Sequence, residues 1–231
     1  MRPTLAFLQA RMGSERLPGK VLLKIQGQSI LERVIRRLTA ASTIEQVVVL
    51  TTVLDEDDQV IEEALRLGAW VHRGPELDVL ERFQQAAERY RPGIVVRATG
   101  DNPLIDIESV DRIVHAIRTS NLEYCMENEL PFGAATEAIT AEALAKVDRL
   151  AVEPHHREHV TLYIKEHPEE FRMALLSPPD SLRRPEIRIT VDTPEDFMSM
   201  EDLIGRLPEQ LVPLPLRMYL DVAGIISRPQ I

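Results

Sequence analysis

Several things are missing from this sequence of 231 residues, and each absence excludes a class of protein. It has one cysteine, Cys125, so an internal disulfide framework and a multi-cysteine zinc site are both excluded. A reducing, cytoplasmic setting is the default expectation. No stretch approaches the roughly 18 apolar residues of a membrane span. The apolar run Leu5–Leu8 is too short for a signal peptide and reads as a buried strand. There is no basic excess: the net charge is −10, which argues against a general nucleic-acid-binding surface. Internal repeats and low-complexity segments are absent as well.

What is present is ordinary in amount and uneven in placement. The 44% hydrophobic and 28% charged residues are those of a soluble globular chain. Residues 1–40, however, carry eight arginines and lysines against two acids. One basic corner on an acidic protein suits a small anionic ligand. Part of that charge is expected to solvate a helix face, because Ile30, Leu31, Val34, Ile35 and Leu38 fall at helical spacing with the arginines on the other face.

Apolar runs alternate with helical patterns. Leu5–Gln9, Gln46–Thr51, Ala69–His72 and Ile94–Ala98 read as strands. Helices are expected from Ser29 onward, from the acidic run Asp55–Asp58 to Leu67, over Asp78–Tyr90 and over Ile107–Arg118. In the second half Ala141–Val147, Pro154–His167 and Pro194–Leu207 read as helices, and Arg172–Leu176 and Glu186–Val191 as strands. Cys125 and Trp70 are expected in the core. This order indicates a three-layer α/β/α fold with a mostly parallel sheet. A single domain over 1–231 is expected, with an excursion at about 125–170 suited to dimerisation and a Pro-rich tail from 208 to 231.

Ligands of such sheets sit at the carboxyl ends of the strands. Three stretches there carry chemistry. The first is Gln9-Ala10-Arg11-Met12-Gly13-Ser14-Glu15-Arg16-Leu17-Pro18-Gly19-Lys20, directly after the first strand. Backbone N–H groups of a Gly-rich turn bind phosphate oxygens, and Arg and Lys neutralise them. It is not a Walker loop, which needs Gly where Ser14 stands and Ser or Thr where Val21 stands. Nor is it a G-x-G-x-x-G turn. The second is Thr99-Gly100-Asp101-Asn102-Pro103, and the third is Val191-Asp192-Thr193-Pro194. Each ends a strand on an acid able to face Mg²⁺. Two strand-end carboxylates and a basic loop make a set suited to a metal, a triphosphate and a nucleophile between them.

Two other clusters invite a metal. His155 and His159 are four apart, as zinc ligands can be, but H-E-x-x-H is absent and no third ligand is evident. Asp55-Glu56-Asp57-Asp58 lacks the Gly and terminal Glu of a calcium loop, so it reads as charge complementing a helix N-terminus.

The three stretches, taken together, resemble the cytidylyltransferases of the spore-coat-polysaccharide and acylneuraminate type. The pattern Gln-Ala-Arg-x-x-Ser-x-Arg-Leu-Pro-Gly-Lys is Gln9–Lys20 here. Arg73-Gly74, Asp78–Arg82, Thr99–Asp106, Arg157–Thr161 and Val191–Asp196 follow in order. The resemblance implies a Rossmann-like sheet of the nucleotide-diphospho-sugar transferase type. It implies a homodimeric enzyme that joins a nucleotide from CTP to a sugar or sugar acid and releases pyrophosphate. Carried over, Gln9, Ala10, Arg11, Gly13, Ser14, Arg16, Lys20, Arg73 and Thr99 bind the nucleotide. Asp101 and Asp192 hold Mg²⁺, and Arg11, Lys20, Asp101 and Asp192 form the catalytic set. Gly133, Glu137, Arg157, Glu158 and His159 meet the acceptor. The acceptor region departs from the family pattern Pro-x-Gly-x-Asp-x-Glu: it reads Pro131-Phe132-Gly133-Ala134-Ala135-Thr136-Glu137, with Phe132 and Ala135 at polar positions. A glycosyltransferase of similar fold, and a nucleotide-binding protein without turnover, are the alternatives.

Overall fold

Strand β1 (Thr4–Gln9) is buried on both faces. In the computed structural model, which describes residues 2–208 and 212–226, it lies inside a seven-stranded sheet. The other strands of that sheet are β4 (Gln46–Thr52), β5 (Trp70–Gly74), β6 (Ile94–Thr99), β7 (Tyr124–Glu127), β8 (Glu137–Thr140) and β9 (Met173–Leu176). A small hairpin pairs β2 (Lys24–Ile25) with β3 (Gln28–Ser29). The order across the sheet is β5-β4-β1-β6-β8-β7-β9, and only β8 runs against the rest. Unbroken Val, Ile and Leu runs are what strands covered on both faces require.

Two helical layers cover it. Ala6 and Leu8 point to one face, against α1 (Ile30–Ala40), α2 (Asp58–Arg66) and α4 (Ile107–Ser120). Leu5 and Phe7 point to the other, against α3 (Val79–Tyr90), α5 (Ala141–Leu150) and the short helices α6 (Pro154–Glu158) and α7 (Leu162–Glu166). Side-chain caps start α1 at Ser29, α3 at Asp78, α4 at Asp106 and α5 at Thr140, each accepting the N–H three residues on. A capping box of Thr193 and Asp196 starts α8 (Pro194–Gly205).

The three-layer α/β/α expectation holds, and four local expectations do not. Glu186–Val191 is extended but makes no strand. It touches Phe132 at a single parallel bridge. Its neighbours Pro131 and Gly133, the latter at φ +101°, cannot continue a ladder. Its apolar pattern records burial of Ile189 and Val191. Pro154–His167 is two helices, because the turn at residues 159–161 is drawn inward by Val160 and by the Thr161 hydroxyl. Arg33 and Arg37 are buried and do not solvate α1. Arg33 donates to Ile25 O, and Arg37 to the carbonyls of Ile105 (2.7 Å) and Leu214 (2.8 Å). Trp70 stacks on Tyr90 at the sheet edge and stays 46% exposed. The C-terminal segment includes a helix, α9 (Leu216–Ile226), with Leu216, Tyr219 and Leu220 packed beside Met200, Leu203 and Ile204 of α8. The rest of the 208–231 tail falls partly outside the described residues. The segment 125–170 contributes β7 and β8 to the main sheet.

Candidate active site

Chain order turns back on itself between β1 and β6: β1 is flanked by β4 on one side and β6 on the other. A cleft forms at such a point, beyond the carboxyl ends of the strands. Here it measures about 740 Å³.

The loop after β1 is shaped by two residues. Met12 O accepts N–H bonds from Ser14 (2.8 Å) and Gly19 (2.9 Å), which closes the loop upon itself. Gly19, at φ +70°, then turns the chain into a short 3₁₀ turn at Lys20. Asp57 fixes the other side, accepting from the Met12 N–H (2.7 Å), the Thr52 N–H (3.1 Å) and the Thr52 hydroxyl. Burial pushes the Asp57 carboxyl up, but these donors outweigh it and hold it below the usual range. Gly100 brings the next loop close: its N–H donates to Gln9 O (2.8 Å), and a Cβ there would stand 2.9 Å from that of Ala10.

These constraints place one cation between two acids. Lys20 Nζ lies 3.0 Å from Asp101 Oδ2 and 2.8 Å from Asp192 Oδ1. The Thr99 hydroxyl donates to Asp101 Oδ1 (2.6 Å). Asp192 is brought alongside because Val191 N–H donates to Asp101 O (2.9 Å). Arg16 (3.2 Å) and Arg188 (2.8 Å) also reach Asp192. Burial alone would raise the Asp192 carboxyl; Lys20, Arg188 and Arg16 hold it down and ionised.

Gln9, Ala10, Arg11, Gly13, Ser14, Arg16, Lys20, Thr99, Asp101, Glu158, His159 and Asp192 all border the cleft. Four residues expected in the site are engaged elsewhere. Arg73 braces the end of β4 through Thr52 O and Leu54 O, and pairs with Asp58. Arg157 joins Asp78 at the start of α3 to Asp148 on α5. Gly133 packs on Thr190, where a Cβ would meet the Thr190 nitrogen at 2.8 Å. Glu137 lies inside, accepting from Arg97 (2.7 Å), the Tyr124 hydroxyl (2.8 Å), the Thr161 hydroxyl (2.8 Å) and Lys165.

The sequence reading missed three groups. Arg82 borders the cleft from α3 and is 3% exposed. Burial, with Arg11 nearby, lowers it to about 10. Nη1 donates to Pro75 O, while Nε has no partner among the described residues. Its signal was a cation three residues after Val79 on the core-facing stripe of α3. Asp57 is the inward member of the acidic run, three residues before Val60. Arg188, which pairs with Asp192 and Asp196, sits in the segment read as a strand. His155 and His159 do not act together. His159 borders the cleft, whereas His155 lies beside His156 and Glu166.

Comparison with known proteins agrees with this geometry. Residues 5–219 match the cytidylyltransferase family profile. An uncharacterized protein of Methanocaldococcus jannaschii is 42% identical over 193 residues, covering 84% of this chain and 79% of that protein. The spore coat polysaccharide biosynthesis protein SpsF of Bacillus subtilis is 34% identical over 215 residues, covering 91% and 90%. The structure of a cytidylyltransferase from Leptospira borgpetersenii serovar Hardjo-bovis superposes with a TM-score of 0.86 at 32% identity, covering 98% and 94%. A phosphate-suited loop beside the paired carboxylates Asp101 and Asp192, and a match along nearly the whole chain, converge on one conclusion: this chain is a nucleotidyltransferase and belongs to the cytidylyltransferase family.

Proposed function

We propose that the enzyme transfers a cytidylyl group from CTP to a hydroxyl of a sugar or sugar acid, with a divalent cation, and releases pyrophosphate. The observation that carries this reading is Lys20, held between Asp101 and Asp192 at the mouth of the basic loop. The acceptor oxygen bonds to the α-phosphorus. The bond from that phosphorus to the α,β-bridging oxygen breaks, and the electron pair leaves with pyrophosphate. The hydroxyl proton passes to solvent. Arg11, Arg16, Lys20 and Arg82 supply positive charge to the triphosphate, and the N–H groups around Gly13 and Ser14 supply donors. The unpartnered Nε of Arg82 gains a partner when an anion enters. In this reading Glu158 and His159, which also border the cleft, meet the acceptor.

Asp101 and Asp192 fit a divalent ion, since their oxygens already converge on one cation and hard carboxylates suit Mg²⁺. When bound, Mg²⁺ neutralises phosphate charge and favours departure of pyrophosphate. The chain's own part is to hold the triphosphate in line with the acceptor and to shield the charge that develops.

A thermal-shift series with CTP, UTP, ATP and GTP, each with and without Mg²⁺, tests the reading. A ligand that binds the folded state alone raises its melting temperature. The largest shift is expected with CTP and Mg²⁺, followed by pyrophosphate release when sugar acids are added. No shift with any triphosphate overturns the assignment of the cleft, and unchanged CTP affinity in Lys20→Ala removes Lys20 from it.

A further inference from the structure

Four of the six histidines fall between residues 155 and 167, on the helical pair α6–α7. Among them His155 and His156 meet Glu166, which lies across the turn on α7. His156 Nε2 lies 2.7 Å and His155 Nε2 4.0 Å from Glu166 Oε2. The three groups each offer one ligand atom, all within 4.8 Å of one another. Ligands of a tetrahedral zinc ion stand about 3.4 Å apart, given bonds of about 2.0–2.1 Å. The observed separations straddle that value, so small side-chain rotations suffice. His156 is already buried and its ring is packed edge-on against Tyr163, which reduces the ordering that binding requires.

We propose that His155, His156 and Glu166 form a site for a divalent transition metal of the zinc class, bridging α6 to α7. Two imidazoles and a carboxylate are a ligand set that zinc accepts, with water at the fourth position. The neighbouring group His167, Glu169 and Glu170 offers one imidazole and two carboxylates, a set less suited to zinc. The bridge spans the turn that carries His159 and immediately follows Glu158, both of which border the cleft. Metal binding therefore ties down one wall of the cleft from outside it, at a position separate from Asp101 and Asp192.

The test is calorimetric titration of the untagged protein with Zn²⁺ alone. A background of Asp101→Asn and Asp192→Asn removes the strand-end carboxylates from consideration. One equivalent is expected to bind in that background. His155→Ala and Glu166→Gln, both at exposed side chains, are each expected to weaken binding by more than about tenfold. Loss of a group one shell further out already costs about 10–100-fold. His167→Ala is expected to leave affinity unchanged. Absence of binding, or affinity unchanged from the parent in either His155→Ala or Glu166→Gln, overturns the site. Equal weakening by His167→Ala moves the metal to the other cluster and overturns it too. None of these outcomes depends on whether CTP is the substrate.

Discussion

Two charge clusters in this enzyme are built alike and placed differently. At the mouth of the cleft one cation, Lys20, sits between two carboxylates, Asp101 and Asp192. At the start of β8 one carboxylate, Glu137, sits between two cations, Arg97 of β6 and Lys165, with the Tyr124 and Thr161 hydroxyls completing its shell. The first borders a volume of about 740 Å³, and its partners can be exchanged for those of a ligand. The second is closed, with Glu137 only 5% exposed, and its partners come from three separate parts of the chain, β6, β7 and α7 with its N-cap. Ion clusters of inverse composition are thus placed for different work. Whether a cluster can trade partners with a ligand is decided by what lies beside it.

The largest effect that sharpens this contrast is on turnover. Asp101→Asn and Asp192→Asn are each expected to lower kcat by about 100–1000-fold, the scale of losing one group that stabilises developing charge. The urea midpoint should move little. A midpoint that falls as steeply as the rate would make the open cluster structural.

The converse holds for the closed cluster. Glu137→Gln is expected to cost about 3 kcal/mol of stability, since it leaves the partly buried Arg97 without its carboxylate. CTP affinity of the folded protein should stay within about twofold. The acid limb of the stability profile follows from the same group. Burial raises the Glu137 carboxyl, but Arg97 and Lys165 outweigh burial and bring it down from 4.5 to about 2. A depressed folded value means that its contribution is complete above about pH 4.5 and is lost as pH falls toward 2. Denaturation followed across that window should show a loss in the wild type that is smaller in Glu137→Gln.

A smaller effect tests how the open cluster is held. Gly100→Ala places a methyl 2.9 Å from Ala10 Cβ and 3.2 Å from Gln9 O. It should cost about 1–3 kcal/mol as an overpacked contact. It should also raise KM for the nucleotide more than it lowers kcat, because it parts the two loops without removing a charged group. Unchanged kinetics would show that the loops tolerate separation.

The two regions also differ in how much of them can be read from sequence. β1, β4 and β6 declare themselves as apolar runs because both faces are covered, and Gly19 and Gly100 mark where the chain must turn or approach. The basic loop and Asp101 were legible because strand ends point into a cleft, whereas Asp192 follows a segment that makes no strand and is brought in by the Val191 N–H bond to Asp101 O. Beyond residue 125 a polar side chain in the sequence carries no sign of what it faces. Glu137 and Arg157 read as acceptor contacts but bind other charges of the chain. Arg33 and Arg37 read as solvated but serve distant carbonyls. Asp57 read as a helix-end charge yet anchors the phosphate-suited loop. In each case the deciding partner is remote in sequence or on another element, beyond the reach of local periodicity.

Trp70, the single tryptophan, opens β5 at the end of the strand away from the cleft and lies half in solvent against Tyr90. It gives the enzyme a built-in optical reporter. Its emission follows the docking of the outermost strand onto α3, and with it the unfolding of that border of the sheet. Substrate arriving at the opposite ends of the strands leaves that signal dark.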